Sequence, residues 1–391
     1  MATQPSFAEG LEGVVAAQSS VCTVDGQAGR LIYRGFDVTD LAKWSTFEEV
    51  AYLLWFGDLP TRSQLDRMTT DLAANRSLPP AALDLISGMP RSADTMDVLR
   101  TGVSALGLFD PEASDGSRDA NVRKAIRLTA QIPTLIAARY RLQQGDPPLP
   151  PSPRLSHAAN FLYMLTGRKP LPEYIHVFDV ALILHADHEL NASTFAARVT
   201  AATLTDFYSA ITSAIGTLKG PLHGGANEAV MRMLLEVGTP EAVEPYVAAE
   251  LAARRRIPGF GHRVYRTWDP RALVLRDLVC ELDAGAERPM WCALAQRVAD
   301  AVWQRKHLYP NVDFYSAPLY YILDIPIDLY TPVFAVSRIS GWAAHVLEQY
   351  ANNRLIRPRA EYTGPDSAEY VPIDRRSVEV ADRTSAGRLQ A

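Results

Sequence analysis

The sequence contains few cysteines, and their arrangement argues against two common classes of protein. Three cysteines, Cys22, Cys280 and Cys292, stand among 391 residues. An odd number leaves one unpaired in any disulfide scheme, and the spacings do not match those of metal ligands. We therefore expect neither a disulfide scaffold nor a cysteine metal site, and we predict a cytoplasmic protein with inert thiols.

Long apolar runs and clustered basic charge are also missing. Even the most apolar stretches, such as residues 180–184, are far shorter than the roughly 20 residues of a membrane span. Residues 1–10 lack a basic region followed by an apolar run, which predicts that no signal peptide is present. Lys and Arg number 39 against 44 Asp and Glu, a net charge of −5. We therefore expect neither a membrane nor a nucleic-acid partner.

Helical patterns dominate what is present. Hydrophobic residues make up 48% of the chain, which is enough for a large core. Alternation with period two is confined to residues 13–33, where the turn-like Asp25-Gly26 predicts one or two short hairpins. The proline-rich stretch 145–153 indicates a rigid surface loop rather than a ligand for a partner domain. The sequence predicts a mainly α fold with short N-terminal β-hairpins, and a frayed tail over 377–391.

Three helix starts are indicated by capping residues. Ser45 followed by Glu48 matches a capping box, and Gly57 suits the end of that helix. Asp269, which precedes a proline, suits the N-cap of a helix that ends near residue 282. Thr331, which also precedes a proline, suits the N-cap of a helix that runs to about residue 350.

Residues 185–189, His-Ala-Asp-His-Glu, end an apolar helix that begins near Glu173. With Glu189, the histidines His185 and His188 would form a metal-dependent hydrolase if they ligated a metal from one helix face. A third ligand at a recognisable spacing is missing, however, and a helix C-terminus favours a protonated histidine through the helix dipole. We therefore interpret these residues as anion-binding or helix-capping histidines.

A second histidine lies in the glycine-rich stretch 219–227, just before an apolar helix over 228–237. Free backbone N–H groups at a helix entrance depress imidazolium formation, so His223 would be a neutral donor for a developing oxyanion. The alternative is a turn histidine that satisfies local backbone groups. The motif alone leaves both interpretations open.

Two further breaks in the helical pattern carry charge. In the stretch 256–266, two glycines allow a close backbone approach to a ligand, and Arg263, Arg266 and the nearby Arg271 indicate an anion site. In the stretch 309–316, Asp313 stands between two apolar residues. It is interpreted either as the cap of a helix starting at Phe314 or as a carboxylate base whose pKa is raised by desolvation.

Taken in order, these four motifs resemble the citrate synthase family, over residues 13 to about 374. The strings Tyr-Arg-Gly-Phe-Asp at 33–37 and Arg-Pro-Arg at 357–359 belong to the same match. The resemblance implies a two-domain, mostly helical homodimer that condenses acetyl-CoA with oxaloacetate and hydrolyses the resulting thioester. It implies no cofactor and no metal, since acetyl-CoA is a substrate.

The same resemblance implies roles for three catalytic residues. Asp313 would remove a methyl proton from acetyl-CoA while His223 hydrogen-bonds the thioester oxygen as the enolate forms. His262, in the Gly-Phe-Gly-His string, would polarise the oxaloacetate carbonyl and protonate its oxygen. These roles agree with the weak acidity of a thioester methyl, which requires a donor at the forming oxyanion as well as a base.

The substrate-binding residues also follow from the resemblance. Arg357 would come from the partner subunit and complete its site. CoA phosphates would contact Arg266 and Lys306. The oxaloacetate ligands would be His188, Arg271, Arg338 and Arg357.

The family comparison implies a large domain over 1–222 and 321–391 and a small domain over 223–320, which close over the substrates and exclude water. The chain begins close to the first hairpin, so we expect a dimer without the extra domain of the NADH-inhibited hexamers. Ala317 stands where the family commonly has glycine, a change expected to affect the helix after Asp313 but not the base.

Two other functions remain open besides the metal-dependent hydrolase. The nearest is 2-methylcitrate synthase, which has the same fold and uses propionyl-CoA; the string Val-Asp-Phe-Tyr-Ser at 312–316 is more similar to citrate-preferring members. One extra methylene changes binding by about 1–3 kcal/mol, so the sequence discriminates poorly. The other is a non-catalytic helical scaffold that keeps the family fold.

Overall fold

The computed structural model describes residues 7–286 and 290–376, so the predicted tail over 377–391 lies outside the described residues. The described residues within 17–356 form one compact unit, and those of the terminal segments, 7–16 and 357–376, make up a second. The predicted fold class is confirmed, because helices dominate and a small sheet lies near the N-terminus. The division into a large and a small domain stays a prediction.

The described residues contain sixteen α-helices and four short 3₁₀ helices. The α-helices are α1 (Val38–Trp44), α2 (Phe47–Phe56), α3 (Arg62–Ala74), α4 (Pro80–Ser87), α5 (Thr95–Leu106), α6 (Arg118–Gln144), α7 (His157–Thr166), α8 (Pro172–His185), α9 (Ala192–Ala201), α10 (Phe207–Leu218), α11 (Ala226–Val237), α12 (Val243–Ala252), α13 (Pro270–Ala284), α14 (Trp291–Lys306), α15 (Val312–Ile322) and α16 (Tyr330–Ala351). The 3₁₀ helices are Glu9–Leu11, Pro240–Ala242, Ile327–Leu329 and Ile373–Arg375.

The sheet consists of three short antiparallel strands in the order β1-β2-β3, with β1 at Cys22–Asp25, β2 at Arg30–Tyr33 and β3 at Phe36–Asp37. The predicted hairpin is confirmed over its second half, while the start of the 13–33 stretch lies outside the strands. The side chain of Tyr33 is buried, and its hydroxyl donates to the carbonyl of Asp187 at 2.8 Å. The sheet is therefore tied to the turn that follows α8.

Two of the three predicted helix starts are corrected by the structure. The N-cap of α2 is Thr46, whose side chain accepts from Glu49 N, while Ser45 ends α1. Helix α16 begins before Thr331 because a 3₁₀ turn leads directly into it, and the Thr331 hydroxyl contacts Glu228 instead. The N-cap of α13 is Asp269, as predicted.

Helix α16 passes very close to the turn after α8. The backbone N–H of Gly341 donates to the carbonyl of Ala186 at 3.1 Å. A Cβ atom at Gly341 would overlap that carbonyl and the carboxylate of Asp187. Glycine at this position therefore lets a long buried helix support the turn that carries His188.

The prediction of inert thiols is wrong for two of the three cysteines. Cys280 on α13 and Cys292 on α14 form a disulfide with a Cα–Cα distance of 4.8 Å, while Cys22 is free and buried. Sequence spacing did not indicate this pair, because two helices that fold back on each other bring the residues together. Among the described residues, no helix is both long and apolar enough to cross a bilayer.

Candidate active site

His188 lies in the turn after α8 and contacts two aromatic residues from a distant part of the chain. Its ring centroid is 5.2 Å from that of His262 and 5.6 Å from that of Tyr265, and its Nε2 atom lies 3.3 Å from the Tyr265 hydroxyl. The structure therefore brings together two of the predicted histidines, and it adds Tyr265, which the sequence did not single out.

The orientation of His262 is set by its own loop. Gly259 and Gly261 have φ values of 81° and 78°, which turn the backbone sharply before the histidine. The Nδ1 atom of His262 accepts hydrogen bonds from the backbone N–H groups of Val264, at 2.9 Å, and Tyr265, at 3.1 Å. The ring proton therefore lies on Nε2, the nitrogen that remains free to donate to a ligand.

His223 lies in the turn before α11 and is held by Ser193 in the first turn of α9. The backbone N–H of Ser193 donates to Nε2 of His223 at 3.3 Å, so the ring proton lies on Nδ1. The Ser193 hydroxyl lies 2.8 Å from the same nitrogen and accepts from Trp342 Nε1 at 3.1 Å. Ser193 was missed from the sequence, where only its position five residues after His188 linked it to a motif.

Both candidate donors are neutral at physiological pH. Burial, with the charge of Arg338 nearby, lowers the pKa of His223 to about 4. Burial, with the charge of Arg271, lowers the pKa of His262 to about 4. A neutral imidazole with a fixed proton is a hydrogen-bond donor, which is one of the two interpretations given for His223 from its glycine-rich loop.

Asp313 lies in the first turn of α15 but does not cap that helix. The N-cap is Asn311, whose side-chain oxygen accepts from the backbone N–H of Asp313 at 3.1 Å. The Oδ1 atom of Asp313 is buried and accepts no hydrogen bond from the described residues. Burial raises its pKa to about 6, against the opposing charges of Arg271 and Arg338. The interpretation as a cap is therefore wrong, and the side chain has the properties of a base.

A buried carboxylate connects the helix of Arg271 to the helix of Asp313. Asp269 accepts from Arg271 Nε at 3.0 Å and from Arg271 Nη2 at 2.8 Å. It also accepts from the backbone N–H of Val312 at 3.2 Å, in the first turn of α15. Asp269 was predicted only as an N-cap, yet it fixes the guanidinium of Arg271 relative to the candidate base.

Arg338, on α16, is a buried cation without a carboxylate partner among the described residues. Its side chain is 1% exposed, and its Nε atom donates to the carbonyl of His185 at 2.7 Å. The guanidinium lies over the ring of Phe334, 4.6 Å from its centroid. Burial lowers the pKa of Arg338 to about 10. A buried guanidinium without a carboxylate partner is suited to bind an anion.

The two guanidiniums are the common neighbours of the candidate residues. Besides burial, the charge of Arg338 adds to the lowering of the pKa values of His188 and His223 and partly offsets the rise in the pKa of Asp313. The charge of Arg271 has the same effects on the pKa values of His188 and His262 and on that of Asp313. These shared effects join four predicted residues with Arg271 and Arg338 into one electropositive, largely buried site. The resulting set is His188, His223, His262, Arg271, Asp313 and Arg338.

The turn with His188 has its own buried support. Asp187 accepts from His345 Nε2 at 3.1 Å, and both side chains are fully buried. On its other nitrogen, His345 contacts Arg198 at 3.2 Å, and Arg198 donates to Glu348 at 2.6 Å. This row of polar groups, which the sequence did not reveal, anchors the turn to α9 and α16.

The metal interpretation of residues 185–189 gains no geometric support. His185 Nδ1 donates to the carbonyl of Ala181 at 2.8 Å, and its ring packs 5.0 Å from that of Phe334. Within the described ranges, no group of three or more potential ligands is arranged for a metal. Burial lowers the pKa of His185 to about 3 and that of His188 also falls, so the prediction of protonated histidines is wrong.

The remaining predicted residues are exposed on the surface of the described structure. Arg266 and Lys306 are exposed, as is Arg263. The backbone N–H of Arg266 donates to the carbonyl of Gly26 at 2.9 Å. Arg357 is exposed and belongs to the second, terminal unit.

Low pH should inactivate the site by protonating one group, the carboxylate of Asp313. The proposed base works only when ionised, and the pKa of Asp313 is about 6. As the pH falls through that value, kcat/KM should decline about tenfold per unit, while His223 and His262 stay neutral above about pH 5. Rates measured from pH 4.5 to 8.5 check this. A decline with rising pH near 6.5 would instead require a protonated histidine.

Several known proteins similar to this chain are named citrate synthase. A family model described as "Citrate synthase, C-terminal domain" matches residues 10–359. "Citrate synthase 2" of Bacillus subtilis is 50% identical over 94% of this chain and 99% of its own length. A solved structure of the ternary complex of carboxymethyl coenzyme A and oxaloacetate with citrate synthase from Thermoplasma acidophilum is 34% identical. It covers 95% of this chain and 100% of that chain, with a TM-score of 0.89.

The relatives also include enzymes named for a second substrate. The "Citrate/2-methylcitrate synthase" of Bacillus subtilis is 42% identical over 93% of this chain and 98% of its own length. The comparisons therefore agree on the fold and the type of reaction. They do not distinguish acetyl-CoA from propionyl-CoA as the substrate, which requires an experiment.

Proposed function

The chain belongs to the citrate synthase family, and from that premise we propose that its buried electropositive site condenses acetyl-CoA with oxaloacetate and releases citrate and CoA. The observation that carries this proposal is the buried guanidinium of Arg338, which pairs with no carboxylate of the described residues. A dianionic substrate would supply the missing negative charge. Arg271 and His188 would complete the binding site for oxaloacetate.

The first step is removal of a proton from the acetyl methyl group. Asp313 is suited to this task because its buried Oδ1 atom receives no hydrogen bond from the described residues that would weaken its basicity. As the proton moves to Asp313, negative charge develops on the thioester oxygen. His223 would donate its Nδ1–H to that oxygen, since its Nε2 is occupied by Ser193.

The second step forms the new carbon–carbon bond. The enolate carbon attacks the ketone carbon of oxaloacetate, and the electrons of the C=O bond move to the oxygen. His262 would donate its Nε2–H to that oxygen and transfer the proton, because the loop holds its Nδ1 as an acceptor. Water then attacks the thioester carbonyl of the product, and CoA leaves as the thiol.

A thiol-release assay with oxaloacetate and each acyl-CoA tests this function. We expect release with acetyl-CoA to depend on oxaloacetate, and kcat/KM for acetyl-CoA to exceed that for propionyl-CoA by about tenfold or more. A clear preference for propionyl-CoA would make the protein a 2-methylcitrate synthase. Absence of release with either thioester would favour the non-catalytic scaffold.

We propose that the reaction needs no resident cofactor or metal. Asp313 supplies the base, and the two neutral histidines supply donors, so proton transfer and charge stabilisation are provided by side chains. A chelator should therefore leave the rate of citrate formation unchanged. Loss of activity that zinc or another divalent metal restores would favour the metal-dependent hydrolase instead.

We also propose a homodimer in which Arg357 reaches the partner's oxaloacetate site, with Arg266 and Lys306 near the CoA phosphates. Subunits carrying Asp313→Asn should be complemented by subunits carrying Arg357→Ala, because one site of the mixed dimer then holds both intact residues. Failure of mixed dimers to regain activity would refute sharing of Arg357.

The variants Arg266→Ala and Lys306→Ala test the CoA contacts. Each should raise the KM for acetyl-CoA and leave the KM for oxaloacetate unchanged. The cytoplasmic location stays a prediction.

A further inference from the structure

A disulfide joins Cys280, near the end of α13, to Cys292, at the start of α14. The active-site residues of α13 lie at the opposite end of that helix. Asp269 and Arg271 mark the start of α13, whereas Cys280 lies in its last two turns and Cys292 in the first turn of α14. The two cysteines are 12 residues apart in sequence. The catalytic proposal assigns this pair no role.

We propose that Cys280 and Cys292 are a reversible thiol–disulfide site, which is oxidised and reduced while the protein stays folded. Both residues are partly exposed, so a small reductant or oxidant can reach the sulfur atoms. Cys22 provides the contrast within the same chain. It is buried, and burial together with the charge of Asp187 raises its pKa well above the usual range, so its thiol is unreactive.

The connection between the two helices does not depend on the disulfide. The carboxylate of Asp283 accepts from the backbone N–H of Met290 at 3.2 Å and from that of Cys292 at 3.0 Å. Val279 on α13 and Leu294 on α14 are fully buried beside the cysteines in sequence. The two hydrogen bonds of Asp283 do not involve the sulfur atoms, so breaking the sulfur–sulfur bond removes neither of them, as reversibility in the folded state requires.

The exchange reaction balances with a small disulfide as the oxidant. One cysteine thiolate attacks the small disulfide, which forms a mixed disulfide and releases one thiolate of the reagent. The second cysteine thiolate attacks the mixed disulfide, forms the Cys280–Cys292 bond and releases the other reagent thiolate. The protein loses two electrons and two protons in total, and the small disulfide is reduced to two thiols.

The oxidation state should change stability more than activity. A cross-link restricts the unfolded chain, so the oxidised protein should unfold at a temperature several degrees higher than the reduced protein. Because Asp283 holds the connection in both states and the active-site residues lie at the other end of α13, kcat/KM should differ by less than about twofold.

The experiment counts reactive thiols in the folded and unfolded protein with a maleimide reagent. After incubation with glutathione disulfide we expect no reactive thiol in the folded protein and one, Cys22, after unfolding. After incubation with reduced dithiothreitol we expect two in the folded protein and three after unfolding. The cycle should repeat on one sample without loss of helical circular dichroism.

Variants separate this site from other effects. Cys280→Ser and Cys292→Ser should abolish the shift in unfolding temperature between the two treatments, and Cys22→Ser should retain it. Two folded-state thiols that glutathione disulfide fails to join, or a disulfide that is reduced only after unfolding, would overturn the proposal. Since thiol counts and unfolding temperatures do not depend on citrate formation, the outcome is independent of the proposed reaction.

Discussion

Replacing Asp313 by Asn is expected to lower kcat by about 10²–10⁴-fold, because the amide cannot accept the methyl proton. The substitution keeps the size of the side chain, so the first turn of α15 and its cap at Asn311 should persist. Citrate formation at saturating oxaloacetate and acetyl-CoA gives the measurement. Exchange of the acetyl methyl protons with deuterated solvent should be lost in parallel, which assigns the defect to proton removal.

Two measurements distinguish the loss of a base from general damage. Oxaloacetate binding by the Asp313→Asn protein should stay within a few-fold of the unsubstituted protein, since the guanidiniums remain. Asp277→Asn on α13 is a matched control, because that carboxylate is 71% exposed and pairs with its neighbour Arg276 rather than with a site residue. Full activity in the Asp313→Asn protein would remove this carboxylate from the mechanism.

Replacing Arg338 by Gln should raise the KM for oxaloacetate by about 10²–10³-fold, the usual effect of removing one partner of a buried charge pair. The KM for acetyl-CoA should change little. Gln retains a donor for the carbonyl of His185, which the Nε atom of Arg338 contacts at 2.7 Å. The effect would therefore report the loss of the charge and of the remaining guanidinium donors.

The unliganded protein gives a separate test of the role of Arg338. Burial lowers the pKa of this arginine to about 10, which means that folding makes its charged form less favourable. Below that pH, removing the charge should leave the unfolding temperature of the free protein unchanged or higher, while the stabilisation by oxaloacetate disappears. A lower unfolding temperature for the free Arg338→Gln protein would indicate a structural role instead.

Arg139 is a suitable control for this substitution. It is also buried, on α6, but its Nη2 atom donates to the backbone carbonyls of Pro90, Arg91 and Ala93. Arg139→Gln removes donors from carbonyls that have no other role in the proposal. We expect a lower unfolding temperature with an unchanged KM for oxaloacetate, the opposite pattern to that of Arg338→Gln.

Local signals predicted much of the secondary structure because capping and turn residues act within a few positions. Asp269 before proline begins α13, and the Asp25-Gly26 turn joins two strands, as expected from backbone preferences alone. The N-caps of α2 and α16 differ from the predicted ones by one residue and by two residues. In both cases a neighbouring element supplied a competing hydrogen bond or an adjoining helical turn, which short patterns do not reveal.

The amino-acid order by itself determined the fold class, the family and the residue types that the reaction requires, since those depend on local patterns and on motifs. Only the tertiary structure decided that Arg338 is buried without a carboxylate partner among the described residues, that Asp269 reaches Val312, 43 residues away, and that Cys280 meets Cys292. The physical reason is that desolvation and long-range contacts depend on which helices pack together. The raised pKa of Asp313 and the neutral state of the histidines arise from that packing.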